Sequence, residues 1–375
     1  MRRLQLVAAG VLVVACRAPA SEIRIGLLVG ATGEHRLPPE AAMIQSAQLA
    51  ESLVNVPGGL MVGGVPHRVR IILRDIGEQA DLATSQARDL LNRDSVVALV
   101  GPQYSRDAIP VASLAQQARV PMISPMSTHP ETTFDKPYVF RIAFMDDVQG
   151  RALASFARET LHARRAALLY DVALDYSRNL SRIFAEEFTA RGGSVVSDQH
   201  FTSDQAEDFT AQLLRIKASH PDVIFAPNFS SADSIQLVQA RRLGLGITFL
   251  GSDSWDPASL RKVPDAEGAY YAVQWHFTVA TPESNSYVAH YRQAYHTTPD
   301  ATGASTWDAF QVLFAAIQSA GSLQPDSIQR AMTRTEGFRG VTGILNYRNG
   351  GNPRKSVYIV RFVNGQEQFQ QRIDP

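Results

Sequence analysis

The sequence predicts an α/β protein made of two similar halves, each a parallel sheet with helices on both faces. Three observations carry this. From residue 22 onward, short apolar runs alternate with amphipathic stretches long enough to be helices. The apolar runs are continuous rather than alternating, as strands buried on both faces are. The rhythm then begins again after about residue 143. Parallel strands need crossover connections, and the amphipathic stretches supply them. The likeness of the halves is one of rhythm, without a residue-level repeat.

Taken in order, residues 23–29 (IRIGLLV) read as a buried strand ending at Gly30-Ala31-Thr32-Gly33, where glycine permits close backbone approach. Residues 39–55 have helical apolar spacing, 58–64 are a glycine-rich stop, 67–74 alternate like a strand, and 79–92 form an amphipathic helix. Residues 96–100 are a buried strand, followed by a Gly101-Pro102 turn, a helix and a short strand at 122–124. Residues 138–142 are strand-like. The second series expects helices at 147–161, 178–191, 206–219 and 231–243, with strands at 165–170, 194–200, 223–226 and 247–250. Residues 270–277 read as strand, and 282–296, 301–321 and 325–335 as helices. The tail, 341–347 and 356–363 around Asn349-Gly350-Gly351-Asn352, reads as strand–turn–strand. Helices that return after the second half is complete imply that the chain crosses between halves more than once.

Inventory narrows the function. Formal net charge is zero over 375 residues and no basic stripe stands out, which argues against a nucleic-acid partner. The nine histidines are scattered without HExxH spacing, and Gly251-Ser252-Asp253-Ser254 lacks the closing glycine of a nucleophile elbow. No Walker or GxGxxG loop follows the first strand. No catalytic residue, metal site or cofactor is expected. The single cysteine, Cys16, forms no disulfide within the chain. It follows Arg2-Arg3 and an apolar run over residues 4–15, the layout of a secretory signal peptide. Val13-Val14-Ala15-Cys16 resembles a bacterial lipobox with Val13 in place of the usual Leu, so Cys16 is the expected lipidation site. Cleavage after Ala15 or near Ala20 is the alternative. Acylation would hold the exported protein on a membrane surface without a spanning helix.

What remains is polar and aromatic residues at strand ends. Ser105 stands near a helix start, and Ser127 and Thr128 follow the strand at 122–124. Loops after parallel strands share one sheet edge, so these hydroxyls should face one crevice. Unpaired N–H groups at a helix start suit a small anion such as a carboxylate. The plainer reading makes Ser105 an N-cap and Ser127-Thr128 a turn. In the second half, Tyr176, Phe229 and Asp253 follow strands. An isolated carboxylate opening into a crevice is costly unless a cation meets it, and a ligand ammonium would serve. The alternative for Asp253 is capping of a helix at 256–260, and for the aromatics simple packing. Hydroxyls on one half and an acid on the other describe a receptor for an α-amino acid.

The runs IRIGLLVGATG, GGLMVGG, Arg74-Asp75, ALVGPQYS, VPMISPMSTHPE, DFTAQLLRIKASHPDVIFAPNF and ITFLGSDSW carry a resemblance. The chain resembles the branched-chain amino-acid-binding (Leu/Ile/Val-binding) type of periplasmic substrate-binding protein, the type I fold serving ABC importers. The resemblance covers about residues 23–362, and VPMISPMSTHPE is its most specific run. It implies two Rossmann-like lobes joined by a three-strand hinge, with residues 22–142 plus 276–335 in lobe one and 143–275 plus 336–375 in lobe two. It implies that Ser105 binds the ligand carboxylate, that Ser127 and Thr128 complete the clamp, and that Tyr176 and Phe229 line the pocket. Asp253 would receive the ammonium. Two departures bear on the ligand: Phe229 stands for a usual tyrosine, and Asp253 for a usual glutamate. The loop at 34–39, which meets the ligand side chain in the family, holds Glu34, His35 and Arg36. The implied partners are a small-molecule ligand, an ABC permease and, through Cys16, a membrane. A sensing or scaffold lipoprotein that reuses the fold is the alternative.

Overall fold

The computed structural model describes residues 22–30, 38–77, 80–202, 207–348 and 350–375. Cys16 with the expected signal segment, and most of the 34–39 loop, lie outside the described residues. The first half contains β1 (Glu22–Val29), α1 (Pro38–Asn55), β2 (Leu60–Val62), β3 (Val65–Asp75), α2 (Ala80–Asn92), β4 (Ala98–Val100), α3 (Ser105–Ala118), β5 (Met122–Ser124) and β6 (Val139–Arg141). The second contains α4 (Asp146–Ser155), β7 (Arg165–Asp171), α5 (Asp175–Ala190), β8 (Ser194–Phe201), α6 (Thr210–Ala218), β9 (Val223–Phe225), α7 (Ser230–Arg242), β10 (Thr248–Gly251), α8 (Pro257–Leu260) and β11 (Tyr270–Val273). Then follow α9 (Pro282–Tyr295), α10 (Ala301–Ala320), α11 (Pro325–Thr333), β12 (Phe338–Gly340), β13 (Gly343–Leu345), β14 (Val357–Val363) and β15 (Gln366–Ile373).

Among the described residues the strands form two large sheets, ordered β2-β3-β1-β4-β5-β6 and β15-β14-β11-β10-β9-β7-β8, and a two-stranded sheet, β12-β13. The runs β3-β1-β4-β5-β6 and β8-β7-β9-β10-β11 are parallel and wound alike; β2, β14 and β15 are antiparallel additions. Both faces of the central strands are buried, which is why those strands read as unbroken apolar runs. Along β1, Ile23, Ile25, Leu27 and Val29 enter one core while Leu28 enters the opposite one. In β7, Ala167 and Leu169 face one way and Ala166 and Leu168 the other. The late helix α10 returns to the first sheet, where Phe310, Leu313 and Ile317 pack with Met43 and Ala47 of α1.

Among the described residues the chain passes between the two halves three times. Ile142 packs on the first sheet and Phe144 on the second. Val273 packs on the other face of the second sheet, while Trp275 packs with Tyr287 and Tyr291 of α9. The last passage is later than the expected division at 335: Leu345 and Tyr347 sit in the first core, and Val357 is the next residue in the second. Residues 336–347 therefore pack with the first sheet. The expected hairpin around Gly350-Gly351 is also corrected. β13 pairs with β12, and β14 pairs with β11 and β15. Gly351 instead lies against β6, where an added Cβ would stand 2.0 Å from the Val139 carbonyl oxygen. The helix expected at 147–161 starts at Asp146 and changes to a π-turn at Phe156–Thr160. Among the described residues no helix is long and apolar enough to cross a membrane.

Candidate functional site

Shared winding puts corresponding loops opposite each other. In each parallel run the strand order reverses beside the first strand, and ligands bind beyond the carboxyl ends at such a point. Ser105 follows β4, Tyr176 follows β7, Phe229 follows β9 and Asp253 follows β10. All four line one cavity of about 190 Å³, together with Thr128.

The wall from the first half rests on α3. Its N-cap, Tyr104, makes no side-chain capping bond, so the first N–H groups of the helix keep their bonding capacity. Ser105 is thus the first helical residue, not the cap. Its hydroxyl pairs with that of Ser127 at 2.9 Å. Ser127 departs from expectation. It is buried, its hydroxyl also meets Thr132 Oγ1 at 2.7 Å, and it does not line the cavity. Met126 occupies the cavity wall in that turn. Ser127 therefore holds Ser105 from behind. The whole turn hangs on the buried Arg141 guanidinium, which donates to Ser127 O (2.9 Å), His129 O (2.8 Å) and Thr133 Oγ1 (2.9 Å).

The carboxylate facing the cavity from the second half is Asp253, and it is not isolated. Its Oδ1 accepts from Tyr176 OH (2.7 Å) and Gln149 Nε2 (2.9 Å), and its Oδ2 accepts from Gln274 Nε2 (2.8 Å). Its own N–H donates to Gln149 Oε1 at 2.8 Å. The capping alternative falls away, because Asp256 caps α8 through the Ala258 and Ser259 N–H groups. Burial pushes the Asp253 carboxyl up to about 6, against the three hydrogen bonds that favour its charge; the nearby Asp146 carboxylate adds to the rise. Burial, and then the Asp253 charge, push the Tyr176 phenol far up, so it stays a donor.

Aromatic rings close the cavity between the sheets. Phe229 meets Tyr104 edge-on at 5.5 Å and Tyr176 at 5.7 Å. Tyr104, Met126, Gln149 and Gln274 were not singled out from sequence. Tyr104 had a signal, since it precedes Ser105 in the GPQYS run. The glutamines had none, because Gln149 lies 104 residues from the carboxylate it holds. Among the described residues no cluster of His, Cys, Asp and Glu could hold a metal ion.

Two α/β units with matched winding, closing hydroxyls and an acid around one small cavity, define a bilobal solute receptor. The chain belongs to the periplasmic binding protein family, which it matches over residues 22–367. It is 26% identical over 311 residues to the Leu/Ile/Val-binding protein BraC3 of Rhizobium johnstonii, covering 81% of each chain. The leucine binding protein LivK from Thermotoga maritima superposes with a TM-score of 0.88 at 30% identity, covering 94% of this chain and 99% of that one. A solute-binding protein of an ABC transporter from R. palustris, solved with benzoate, shares the fold at 22% identity and a TM-score of 0.82, covering 95% and 97%. Each of these relatives is named as a binding protein and none as an enzyme, and the third as the solute-binding protein of an ABC transporter. This chain too is a type I solute-binding protein of the ABC-transporter kind.

Proposed function

We propose that the cavity binds a free α-amino acid. The observation that carries this is the Asp253 carboxylate opening into the same cavity as Ser105 and Thr128. The start of α3 and the Ser105 hydroxyl take the ligand carboxylate, and Asp253 takes the ammonium. Tyr176 and Phe229 wall the side chain. Closure of the two lobes about the three passages buries the ligand, and the closed form delivers it to an ABC permease while Cys16 anchors the protein to a membrane. Names of relatives support an amino acid; the benzoate-bound neighbour makes aromatic carboxylates the comparison set. Charge-assisted hydrogen bonds contribute roughly 1.5–3 kcal/mol each, so a handful offsets the ordering cost and gives about micromolar affinity.

A calorimetric screen of the standard L-amino acids and of aromatic acids tests the reading. An amino acid should bind, and Asp253→Ala should weaken it about tenfold or more. Binding that survives Asp253→Ala unchanged would remove the ammonium assignment.

A further inference from the structure

The cavity does not end at Asp253. It runs on along the second passage of the chain, past Gln274 and His276, to the start of α10 and to β15. Its far wall carries three carboxylates from three elements: Asp256 at the start of α8, Asp300 at the start of α10 and Glu367 on β15. Among the described residues no lysine or arginine lines that wall. Arg106, the only described arginine on the cavity, stands at the α3 end and pairs with Asp107 at 3.4 Å. Burial raises Asp300 to about 7 against its Gly303 bond, and the Asp256 and Glu367 charges add to the rise. Burial and the Asp256 charge also raise Glu367, while Arg261, outside the wall, opposes them. Like charges gathered in a poorly hydrated place repel unless a cation joins them.

Capping explains only part of this. Asp256 caps α8, and Asp300 Oδ1 caps α10 by accepting the Gly303 N–H at 2.7 Å. Glu367, on an edge strand, caps nothing. His276 is a separate sign of a ligand. It is 3% exposed and lines the same cavity; its Nδ1 pairs with Thr278 Oγ1 at 2.7 Å, and its buried Nε2 has no hydrogen-bond partner. Thr278 Oγ1 can accept the Nδ1 hydrogen, which puts a lone pair on Nε2. The Thr278 N–H reaches the same Nδ1 only at 3.4 Å. Burial pushes the ring down to about 4, so at neutral pH it adds no charge of its own. His276 stands two residues beyond Gln274, which holds Asp253, so at most about 7 Å of chain separates them. A lysine or arginine side chain spans a comparable length. We propose that the far end of the cavity receives a cation, so that the ligand is an α-amino acid with a basic side chain whose terminal donors meet Asp300, Glu367 and His276 Nε2. This rests on the amino-acid reading above and names the class of amino acid.

Calorimetry with L-lysine, L-arginine and L-norleucine on wild type, Asp300→Asn and Glu367→Gln tests the proposal. Norleucine matches lysine in chain length and lacks its charge. On wild type, lysine or arginine should bind at least about tenfold more tightly than norleucine. Each variant should shrink that ratio about tenfold. Asparagine caps helices as aspartate does, so Asp300→Asn keeps the start of α10. Lysine and arginine binding no more tightly than norleucine, or not at all, overturns the proposal and leaves the amino-acid reading standing; so does a ratio unchanged in either variant. A wild type that binds no standard amino acid overturns both. Should one variant fail to fold, the other decides.

Discussion

Asp253 shows why a residue's role depends on its surroundings more than on its type. Burial holds its proton to about pH 6, so the empty site pays for readiness by keeping a charge poorly hydrated. Two opposite pH trends result. An ammonium needs the ionised acid, so amino-acid affinity should be flat above about pH 7 and fall by up to tenfold per unit below about pH 6. Ligand-free stability runs the other way. The folded state holds this proton more tightly than the unfolded chain, so the Asp253 contribution rises as pH drops through about 6 toward the ordinary 3.8. Calorimetric Kd and thermal melts over the same pH series check both, and Asp253→Asn should flatten the affinity profile. Asp146, also raised to about 6 by burial, adds to the stability trend.

At the scale of elements, strand ends were legible and pairings were not. Ser105, Tyr176, Phe229 and Asp253 could be placed because each follows a continuous apolar run, and a parallel sheet sends all such ends to one edge. The tail misled because two glycine turns competed. Asn364-Gly365 joins β14 to β15, whereas Gly350-Gly351 lets the chain lie against β6. Both are glycine-rich, and only packing distinguishes a hairpin turn from a close approach. Gly251, which ends β10, has the same close-approach character. A Cβ there would stand 2.3 Å from the Trp255 ring, which is pinned by its Nε1 bond to Ala226 O at 3.0 Å. Gly251→Ala should cost about 1–3 kcal/mol of stability by urea unfolding. It should also weaken ligand binding, because the displaced loop carries Asp253.

At the scale of the molecule, the three passages are tied to one another and to the site. Arg141 N–H donates to Gly351 O at 2.9 Å, Tyr347 OH to Arg141 O at 2.8 Å, and Phe144 N–H to the Gln274 side chain at 3.1 Å. The same Gln274 holds Asp253. The last passage is fastened by a buried relay. Lys355 donates to Thr342 Oγ1, which donates to Asp308 Oδ2 at 2.6 Å; Asp308 also accepts the Val341 and Thr342 N–H groups. Burial lowers Lys355 to about 8 and raises Asp308, and each charge opposes the other's shift. Lys355→Met leaves Asp308 buried without a countercharge and should lower stability by about 3 kcal/mol, read as a reduced urea midpoint.

The sequence by itself determined the α/β class, the doubled rhythm and the strand-end residues, because burial on both faces and helix amphipathicity are written locally. Only the tertiary structure decided which hydroxyl faces the cavity, how many bonds Asp253 already accepts and where the chain last changes core. Those depend on partners distant in sequence, such as Gln149 and Gln274 on Asp253 and Arg141 beneath the Ser127 turn, and only the fold brings them together.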